Sequence, residues 1–225
     1  MKKKIIITGS SGFLGTHLMK QLDHEYNEVF APSSKDLNLL NYDDFRNISD
    51  KFDEIYHLAA WTQAGDFCLK NPGLQWIKNQ QMNTNIIKWW NEHQENSKLI
   101  FIGTSCCYNE YGNHSEENYI SDAPHKSLFT YAFTKKMLLL GAKSCQQQFN
   151  MKWFSPIPST LYGSNYHTDE RQQHFIFDLI RKILSAKKNN QQVQLWGDGN
   201  QRCEIIHVKD FVKYLLKLNI KIEND

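Results

Sequence analysis

Short apolar runs rich in β-branched residues alternate along this chain with longer segments in which apolar residues recur every three or four positions. The short runs predict buried strands at residues 3–8, 28–31, 54–60 and 98–103. The longer segments predict a first helix that begins at residue 13 and three further helices at residues 43–51, 74–93 and 129–149. Strands that alternate with helices of this length are typical of an α/β protein in which helices cover both faces of a parallel sheet.

The alternation becomes irregular after an extended segment at residues 151–160, which Pro156 and Pro158 interrupt. Beyond it, the pattern predicts a helix at residues 174–187, a strand at 193–196 and a helix at 210–218. We therefore predict a large part over residues 1–162 and a smaller lobe over residues 163–225. The last helix of the lobe could return to the larger part.

The composition narrows the class of protein. The 225 residues include 26 Lys and Arg against 24 Asp and Glu, and the resulting net charge of +2 argues against a nucleic-acid partner. No apolar run approaches the length of a membrane span, so we expect no membrane partner. Five cysteines without a CxxC pair or clustered His/Cys spacing predict neither a disulfide framework nor a metal site. The N-terminus resembles no export signal, which makes the cytoplasm the expected compartment.

Three glycines separate the first predicted strand from the first helix. Gly9 permits a tight turn, Gly12 lets a pyrophosphate approach the backbone, and Gly15 lets the helix lie close to the strand. The helix N-terminus then offers N–H groups and a positive dipole end to the phosphates. The spacing is GxxGxxG, which differs from the GxGxxG of the dehydrogenase fingerprint. We predict that this loop holds a dinucleotide cofactor through Gly9, Ser11, Gly12, Phe13, Leu14 and Gly15.

The loop after the second predicted strand bears on the choice between the two nicotinamide cofactors. NAD-binding chains carry an acid about 20 residues after the glycine loop, and this acid holds the ribose hydroxyls. Here Ser33, Ser34 and Lys35 come first, and Asp36 follows them. Small hydroxyls and a cation suit the 2′-phosphate of NADP(H) better than a bare diol, so we expect NADP(H) to be preferred over NAD(H). A polar loop without a binding role is the alternative.

Tyr131 and Lys135 are four residues apart, which places them on one face of the helix predicted at residues 129–149. That helix follows the fourth strand, near the edge where the carboxyl ends of the strands would meet a nicotinamide. A nearby ammonium lowers the pKa of a tyrosine, so Tyr131 could exchange a proton with a sugar hydroxyl or ketone during hydride transfer. Thr104 and Ser105, after the fourth strand, offer hydroxyls that could link Tyr131 to the substrate oxygen.

Six motifs, in order, resemble those of the extended short-chain dehydrogenases/reductases, the NAD-dependent epimerase/dehydratase family, which handles nucleotide sugars. They are TGSSGFLG at residues 8–15, HLAA at 57–60, Thr104 ahead of Tyr108, YAFTK at 131–135, WGDG at 196–199 and HVKD at 207–210. The resemblance implies a Rossmann-type doubly wound parallel sheet, with a dinucleotide-binding domain at residues 1–162 and a partial substrate-binding lobe at residues 163–225. Because family members continue beyond the HVKD-type motif, we expect this lobe to be C-terminally truncated.

Within the family, the chain most resembles the GDP-L-fucose synthase group. The matching segments are KDLNLL at residues 35–40, TSCCY at 104–108, PSTLYG at 158–163 and HFIFDLIRK at 174–182. This resemblance implies an NADP-dependent epimerase/reductase of a GDP-4-keto-6-deoxy-hexose. Two alternatives stay open: an NAD-dependent 4-epimerase or dehydratase on another nucleotide sugar, and a non-catalytic cofactor-binding relative. Ser105 and Cys106 stand where dehydratases tend to carry an acidic pair, which disfavours dehydration.

The same resemblance assigns roles to individual residues. Thr104 takes the place of the catalytic serine, Tyr131 is the general acid, and Lys135 lowers its pKa and binds the ribose. Cys106 is the epimerising base and His174 the acid on the opposite face of the sugar. Further contacts are implied to the cofactor from Asn38, Leu39, Ala59, Ala60 and Pro158, and to the substrate from Arg181, Lys182, Trp196 and Arg202.

Three further points follow from the resemblance. Asn79 would hold an active-site water or backbone group, or else lie on a solvated helix face. Cys203 stands where relatives carry the arginine that grips the diphosphate, and Arg202 lies one place earlier. A homodimer is implied through the helices at residues 74–93 and 129–149. Four apolar residues of the first helix would supply contacts or pack on the sheet: Trp76, Ile77, Trp89 and Trp90.

Overall fold

The computed structural model of the chain describes residues 2–22, 24–63, 66–109, 112–166, 174–195 and 197–223. Its strands are β1 (Lys3–Thr8), β2 (Asn27–Phe30), β3 (Glu54–His57), β4 (Lys98–Phe101), β5 (Trp153–Phe154), β6 (Thr160–Tyr162) and β7 (Ile205–His207). Its helices are α1 (Phe13–Gln21), α2 (Tyr42–Phe45), α3 (Phe67–Lys70), α4 (Pro72–His93), α5 (Asn118–Ser121), α6 (Phe129–Phe149), α7 (Phe175–Asn189) and α8 (Val208–Glu223). Among these residues, no helix is both long enough and apolar enough to cross a membrane.

The main sheet has five parallel strands in the order β2-β1-β3-β4-β5. The chain moves from β1 outward to β2 and then crosses back to β3 on the other side of β1. This reversal opens a crevice between the carboxyl ends of β1 and β3, which is where doubly wound sheets bind their ligands. The strand order confirms the predicted Rossmann-type α/β fold. β6 and β7 form a separate parallel pair.

Both faces of the sheet are covered because its strands are apolar on both sides. Ile6, Ile55 and Leu99 point to the face on which α4 and α6 pack, and their neighbours in sequence point to the opposite face. On the first face, α4 contributes Trp89 and Trp90, which are fully buried. These two tryptophans therefore pack in the core beneath α4.

The last helix, α8, packs on the second face of the sheet beside α1. Its apolar residues Phe211, Val212 and Leu215 join the buried cluster that contains Leu18 of α1. Near the end of α8, the buried Asn219 donates a hydrogen bond of 2.6 Å to Glu54 at the start of β3. The division into parts at residues 1–162 and 163–225 stays a prediction.

Several expected elements have different bounds in the structure. The helix predicted at residues 43–51 ends at Phe45, because the polar Asn47, Ser49 and Asp50 are weak helix formers. β3 stops at His57 instead of residue 60, because the glycine loop crosses the chain directly after it. The strand predicted at residues 193–196 is wrong over its described residues 193–195, which are exposed and unpaired. The strand of this lobe is β7, which the sequence pattern did not predict.

Candidate active site

Gly9 and Gly15 occupy positions where the backbone leaves no room for a side chain. Gly9 has φ of +72°, and a Cβ on it would lie 2.7 Å from the backbone nitrogen of Ala59, just after β3. A Cβ on Gly15 would lie 2.3 Å from the carbonyl oxygen of Gly9. The two glycines therefore let β1, the glycine loop and the exit of β3 lie in close contact.

Gly12 is different, because it faces solvent at the start of α1. A Cβ there would meet only the carbonyl oxygen of Gly9, at 3.2 Å. Gly12 is the N-cap of α1, and within the described part of the chain no side chain caps this helix and no acid lies in its first turn. The first N–H groups of α1 and its dipole thus point toward the crevice, where they fit an anionic pyrophosphate.

We expect Gly15→Ala and Gly12→Ala to have different consequences. The Gly15 variant should unfold at lower temperature, because its new methyl group meets backbone atoms that cannot move aside. The Gly12 variant should keep its melting temperature within about 2 °C and lose about tenfold or more in dinucleotide affinity, because its methyl group projects toward the phosphates. Thermal unfolding and a fluorescence titration measure the two effects. Equal melting temperatures for both variants would contradict this assignment.

The loop after β2 presents the residues predicted to recognise a 2′-phosphate. Ser33, Ser34 and Lys35 are exposed. The acid that follows them, Asp36, accepts hydrogen bonds from the Ser33 hydroxyl at 2.6 Å and the Ser33 backbone N–H at 3.0 Å. These bonds hold the pKa of Asp36 below its usual value. Asp36 is thus engaged within its own loop, while Ser34 and Lys35 face solvent.

The other residues predicted to contact the cofactor have different surroundings. Asn38 is exposed, and its side-chain oxygen accepts a hydrogen bond from the Leu40 backbone N–H. The Leu39 side chain is buried in the core. Ala59, Ala60 and Pro158 are half-buried. For Leu39, therefore, only the backbone is placed to meet a ligand.

Asn79 holds the chain that leaves β3. Its side-chain oxygen accepts a hydrogen bond of 2.8 Å from the Trp61 backbone N–H, and its Nδ2 donates to the Trp61 carbonyl at 3.0 Å. Gln75, one helical turn earlier, donates to the same carbonyl at 3.0 Å. Asn79 is buried, so the prediction that it holds a backbone group is confirmed and the solvated face is wrong.

Tyr131 and Lys135 lie on one face of α6, as their spacing predicts. The Lys135 Nζ is 5.9 Å from the centroid of the Tyr131 ring. Burial lowers the pKa of Lys135 to about 8 and raises the pKa of Tyr131 above its usual value. In the protein without ligands, burial therefore sets the net direction of the Tyr131 pKa shift, and the role of Lys135 in lowering that pKa stays a prediction. Tyr131 holds its proton and can act as an acid.

Cys106 lies close enough to Tyr131 to interact with it electrostatically, and Thr104 contacts Cys106. The Thr104 hydroxyl accepts a hydrogen bond of 3.3 Å from the Cys106 backbone N–H. Tyr119 positions Thr104, because its hydroxyl accepts a bond of 3.2 Å from the Thr104 backbone N–H. Burial raises the pKa of Cys106, and the Cys106 thiolate charge would in turn raise the pKa of Tyr131. Four of the five predicted catalytic residues are therefore gathered in one place.

The fifth, His174, lies at the N-terminus of α7. Its ring centroid is 6.0 Å from that of Tyr166, which stacks on Phe177 at 4.0 Å. Tyr166 also contacts the Phe13 ring edge-on, with the centroids 5.0 Å apart. A cluster of aromatic side chains thus connects the segment that carries His174 with the glycine loop.

The predicted substrate-binding residues are not brought together by the contacts that the structure shows. Arg181 and Lys182 both pair with Asp178 on their own helix, at 2.5 Å and 3.0 Å. Arg202 is exposed in the loop before β7. Trp196 lies outside the described residues. The role of these four residues in substrate binding stays a prediction.

A buried polar network at the site, formed by Thr8, His57, Asn83 and the Thr134 carbonyl, was not predicted from the sequence. The Thr8 hydroxyl lies 2.9 Å from His57 Nδ1, and His57 Nε2 lies 3.3 Å from Asn83 Oδ1. Asn83 Nδ2 then donates a bond of 3.1 Å to the Thr134 carbonyl, next to Lys135. A signal exists in the sequence, since amide side chains recur every four residues on α4, at Gln75, Asn79 and Asn83.

The comparisons with known proteins agree with this geometry. The model of the NAD-dependent epimerase/dehydratase family matches residues 5–224. GDP-L-colitose synthase of Yersinia pseudotuberculosis is 26% identical over 221 residues, which cover 94% of this chain and 70% of the relative. GDP-L-fucose synthase of Escherichia coli K12 is 28% identical over 222 residues, which cover 93% of this chain and 67% of the relative. The chain thus spans about two thirds of each relative's length.

Solved structures share the fold at low sequence identity. A GDP-D-glycero-L-gluco-heptose synthase from Campylobacter jejuni, solved in the presence of NADPH, matches with a TM-score of 0.82 and 18% identity, over 96% of this chain and 73% of that one. A GDP-L-fucose synthetase from Naegleria fowleri matches with a TM-score of 0.81 and 22% identity, over 95% and 67%. The family match over nearly the whole chain, the glycine loop and the Tyr131–Lys135 pair agree, and this chain belongs to the NAD-dependent epimerase/dehydratase family.

Proposed function

We propose that this chain is an NADP-dependent epimerase/reductase of a GDP-linked 4-keto-6-deoxy-hexose. The observation that carries the proposal is the group formed by Thr104, Cys106, Tyr131 and Lys135, because it joins a proton donor for a ketone with an adjacent thiol. The names of the curated relatives, GDP-L-fucose synthases and a GDP-L-colitose synthase, support a GDP-linked sugar. A Naegleria fowleri GDP-L-fucose synthetase solved with NADP supports the cofactor.

In the reduction, this chain's residues bind the reactants and supply the proton, while bound NADPH supplies the hydride. The glycine loop holds the pyrophosphate through the N-terminus of α1. Tyr131 donates its phenolic proton to the oxygen of the 4-keto group as that oxygen gains negative charge. Lys135 stabilises the phenolate that remains, and the Thr104 hydroxyl orients the sugar oxygen toward Tyr131.

In the epimerisation, two groups act on opposite faces of the sugar. Hydrogens on the carbons next to a ketone are acidified, so Cys106 as a thiolate can remove one of them. His174, as an imidazolium, then returns a proton from the other face. Since burial raises the pKa of Cys106, few thiolates exist in the free protein. The active form pairs a Cys106 thiolate with a protonated His174, so we expect the epimerisation rate to rise with pH, pass through a maximum and fall where His174 has lost the proton that it must donate.

The preference for NADP(H) rests on two features of the loop after β2. Ser34 and Lys35 are exposed, and the Asp36 carboxylate is already hydrogen-bonded to Ser33. Lys35 would pair with the 2′-phosphate, as Arg and Lys side chains do in phosphate sites. In the other lobe, we place Arg181, Lys182, Arg202 and Trp196 on the nucleotide sugar. For Arg181 and Lys182 this requires that they leave Asp178 when the substrate binds.

We expect the purified chain to consume NADPH when GDP-4-keto-6-deoxymannose is added, and to bind NADPH at least about tenfold more tightly than NADH. Tryptophan fluorescence measures both affinities, and absorbance of the reduced nicotinamide follows turnover. Lys35→Ala should weaken NADPH binding about tenfold and leave NADH binding unchanged. Lys217→Ala, which removes an exposed lysine of α8, is the matched control.

Product analysis separates the two halves of the reaction. In heavy water, the wild-type protein should incorporate deuterium next to the keto carbon, whereas Cys106→Ser should lose this incorporation and still reduce the ketone. Tighter NADH binding without net cofactor consumption would overturn the proposal in favour of an NAD-dependent 4-epimerase. A folded chain that binds neither cofactor would contradict any catalytic role.

We also propose that the chain forms a homodimer through α4 and α6. The outer faces of these helices expose the apolar side chains of Trp76, Ile77, Phe129, Met137 and Leu140. A groove of about 260 Å³ lies between the two helices and is lined by Pro72, Trp76, Phe129, Thr130 and Phe133. Apolar exposure of this kind on two adjacent helices is typical of a surface that a second copy covers.

Trp76→Glu should dissociate this dimer, because each copy would then bury a charge in the apolar groove. Light scattering should give a mass of twice 26.5 kDa for the wild-type chain and of 26.5 kDa for the variant. Leu218→Glu places the same charge on α8, where the side chain is also exposed, and should leave the dimer intact. A wild-type mass of 26.5 kDa at all concentrations would contradict the proposal.

A further inference from the structure

The polar network formed by Thr8, His57, Asn83 and the Thr134 carbonyl lies in the interior of the protein. The three side chains are 2%, 1% and 5% exposed. With the Thr134 carbonyl, the four groups lie on four different elements, since Thr8 ends β1, His57 ends β3, Asn83 belongs to α4 and Thr134 to α6. Buried polar groups are costly unless each has a hydrogen-bond partner, so this polar network specifies one arrangement of the four elements.

The directions of these hydrogen bonds follow from the Thr134 carbonyl, which can only accept. Asn83 must therefore turn its NH₂ group to Thr134 and its Oδ1 to His57. His57 then carries its proton on Nε2 and donates it to Asn83. Its Nδ1 is left as an acceptor for the Thr8 hydroxyl. Burial, reinforced by the Lys135 ammonium, lowers the pKa of His57 to about 4, so the ring is neutral near pH 7 and carries its single proton on Nε2.

The two ends of the polar network, Thr8 and the Thr134 carbonyl, lie at two different parts of the active site. Thr8 immediately precedes Gly9 of the glycine loop, and Thr8 and His57 are paired neighbours in the sheet. Alternation along the strands directs both side chains toward α4 and α6, as it does Ile6 and Ile55. Thr134 precedes Lys135, and its own hydroxyl donates a bond of 2.7 Å to the Tyr131 carbonyl. The polar network therefore connects the glycine loop to the Tyr131–Lys135 turn.

We propose that His57 and Asn83 are positioning residues, which fix the Tyr131–Lys135 turn of α6 relative to the glycine loop that holds the cofactor. This inference rests on the proposed function. Hydride donor, proton donor and sugar must align closely, and a displacement of about 1 Å can lower a rate about a hundredfold. The Asn83–Thr134 bond fixes the height of this turn of α6 along α4.

Three substitutions of His57 separate the hydrogen bonds from the space that the ring fills. Glutamine places an N–H group near the position of Nε2 and keeps the bond to Asn83. Asparagine reaches only the position of Nδ1, so it keeps the partner of Thr8 and loses that of Asn83. Leucine fills the site without either bond. Asn83→Leu interrupts the polar network at its other member and replaces His57→Leu in the test if that variant does not fold.

We expect His57→Leu and His57→Asn to lower kcat for NADPH-dependent reduction about 10- to 100-fold, with KM for the GDP-sugar changed less than about threefold. His57→Gln should recover kcat to within about threefold of the wild type. Thermal unfolding shows that each variant is folded at the assay temperature. Wild-type kcat in the folded leucine variant, or equally low kcat in the glutamine and leucine variants, would overturn the inference.

Two readouts do not depend on turnover. ¹⁵N NMR of the ligand-free wild type should show His57 protonated on Nε2 only and neutral at pH 6. A doubly protonated ring, or one with its proton on Nδ1, would overturn the inference. NADPH affinity should fall in His57→Leu and return in His57→Gln, because Lys135 is placed to bind the ribose. If the wild type reduces no GDP-keto sugar, the proposed function fails, while these readouts still decide the positioning role.

Discussion

Tyr131→Phe should lower kcat for reduction of the keto sugar about 10²- to 10⁴-fold, which is the usual contribution of a general acid. The phenylalanine ring fills the same space, so the fold and the NADPH affinity should change little. Stopped-flow absorbance of NADPH measures the rate, and a fluorescence titration measures the affinity. Tyr214→Phe makes the same chemical change on the exposed face of α8 and should leave both unchanged.

The pH dependence of the wild type adds a second test of Tyr131. Burial raises the pKa of Tyr131, so this group stays protonated throughout the neutral and mildly alkaline range. The alkaline limb of kcat should then follow Lys135, whose pKa is about 8. As pH rises through that value, the loss of the ammonium leaves the developing phenolate unstabilised. If Tyr131→Phe retained most of the wild-type kcat, Tyr131 would not be the acid.

Local periodicity predicts those elements whose burial pattern is local. β1 and α6 have the bounds that their apolar spacing predicts, because strand and helix each repeat within a few residues. β7 was missed because Ile205 to His207 are three residues among exposed loops, and their strand conformation depends on pairing with β6. The same limit applied to residues 193–195, whose apolar residues face solvent.

The active site shows the same division between local and tertiary information. The four-residue spacing of Tyr131 and Lys135 places them on one helix face whatever surrounds them. The net direction of the Tyr131 pKa shift depends instead on burial beneath other elements, which the spacing of the two residues does not reveal. The contact of His57 with Asn83 joins residues 26 positions apart on a strand and a helix. Helix and strand patterns cannot reveal such a pair.

Lys135→Met should stabilise the ligand-free protein and nearly abolish its activity. Burial disfavours the ammonium and lowers the pKa of Lys135 from 10.5 to about 8. The folded state therefore carries the full burial penalty below pH 8, and the penalty fades as the pH rises from 8 to 10.5. A shift of this size corresponds to about 3 kcal/mol, of which methionine should recover a large part at pH 7.

Two measurements test this trade between stability and function. The free energy of unfolding of the wild type should rise between pH 8 and pH 10.5 relative to Lys135→Met, because only the wild type loses a disfavoured proton there. Lys143→Met, exposed on the same helix, should keep the wild-type slope and the wild-type activity. If Lys135→Met were less stable than the wild type at pH 7, the ammonium would contribute to folding. The burial penalty attributed to Lys135 would then be absent. Replacing a residue that is kept for catalysis at a cost in stability must make the protein more stable.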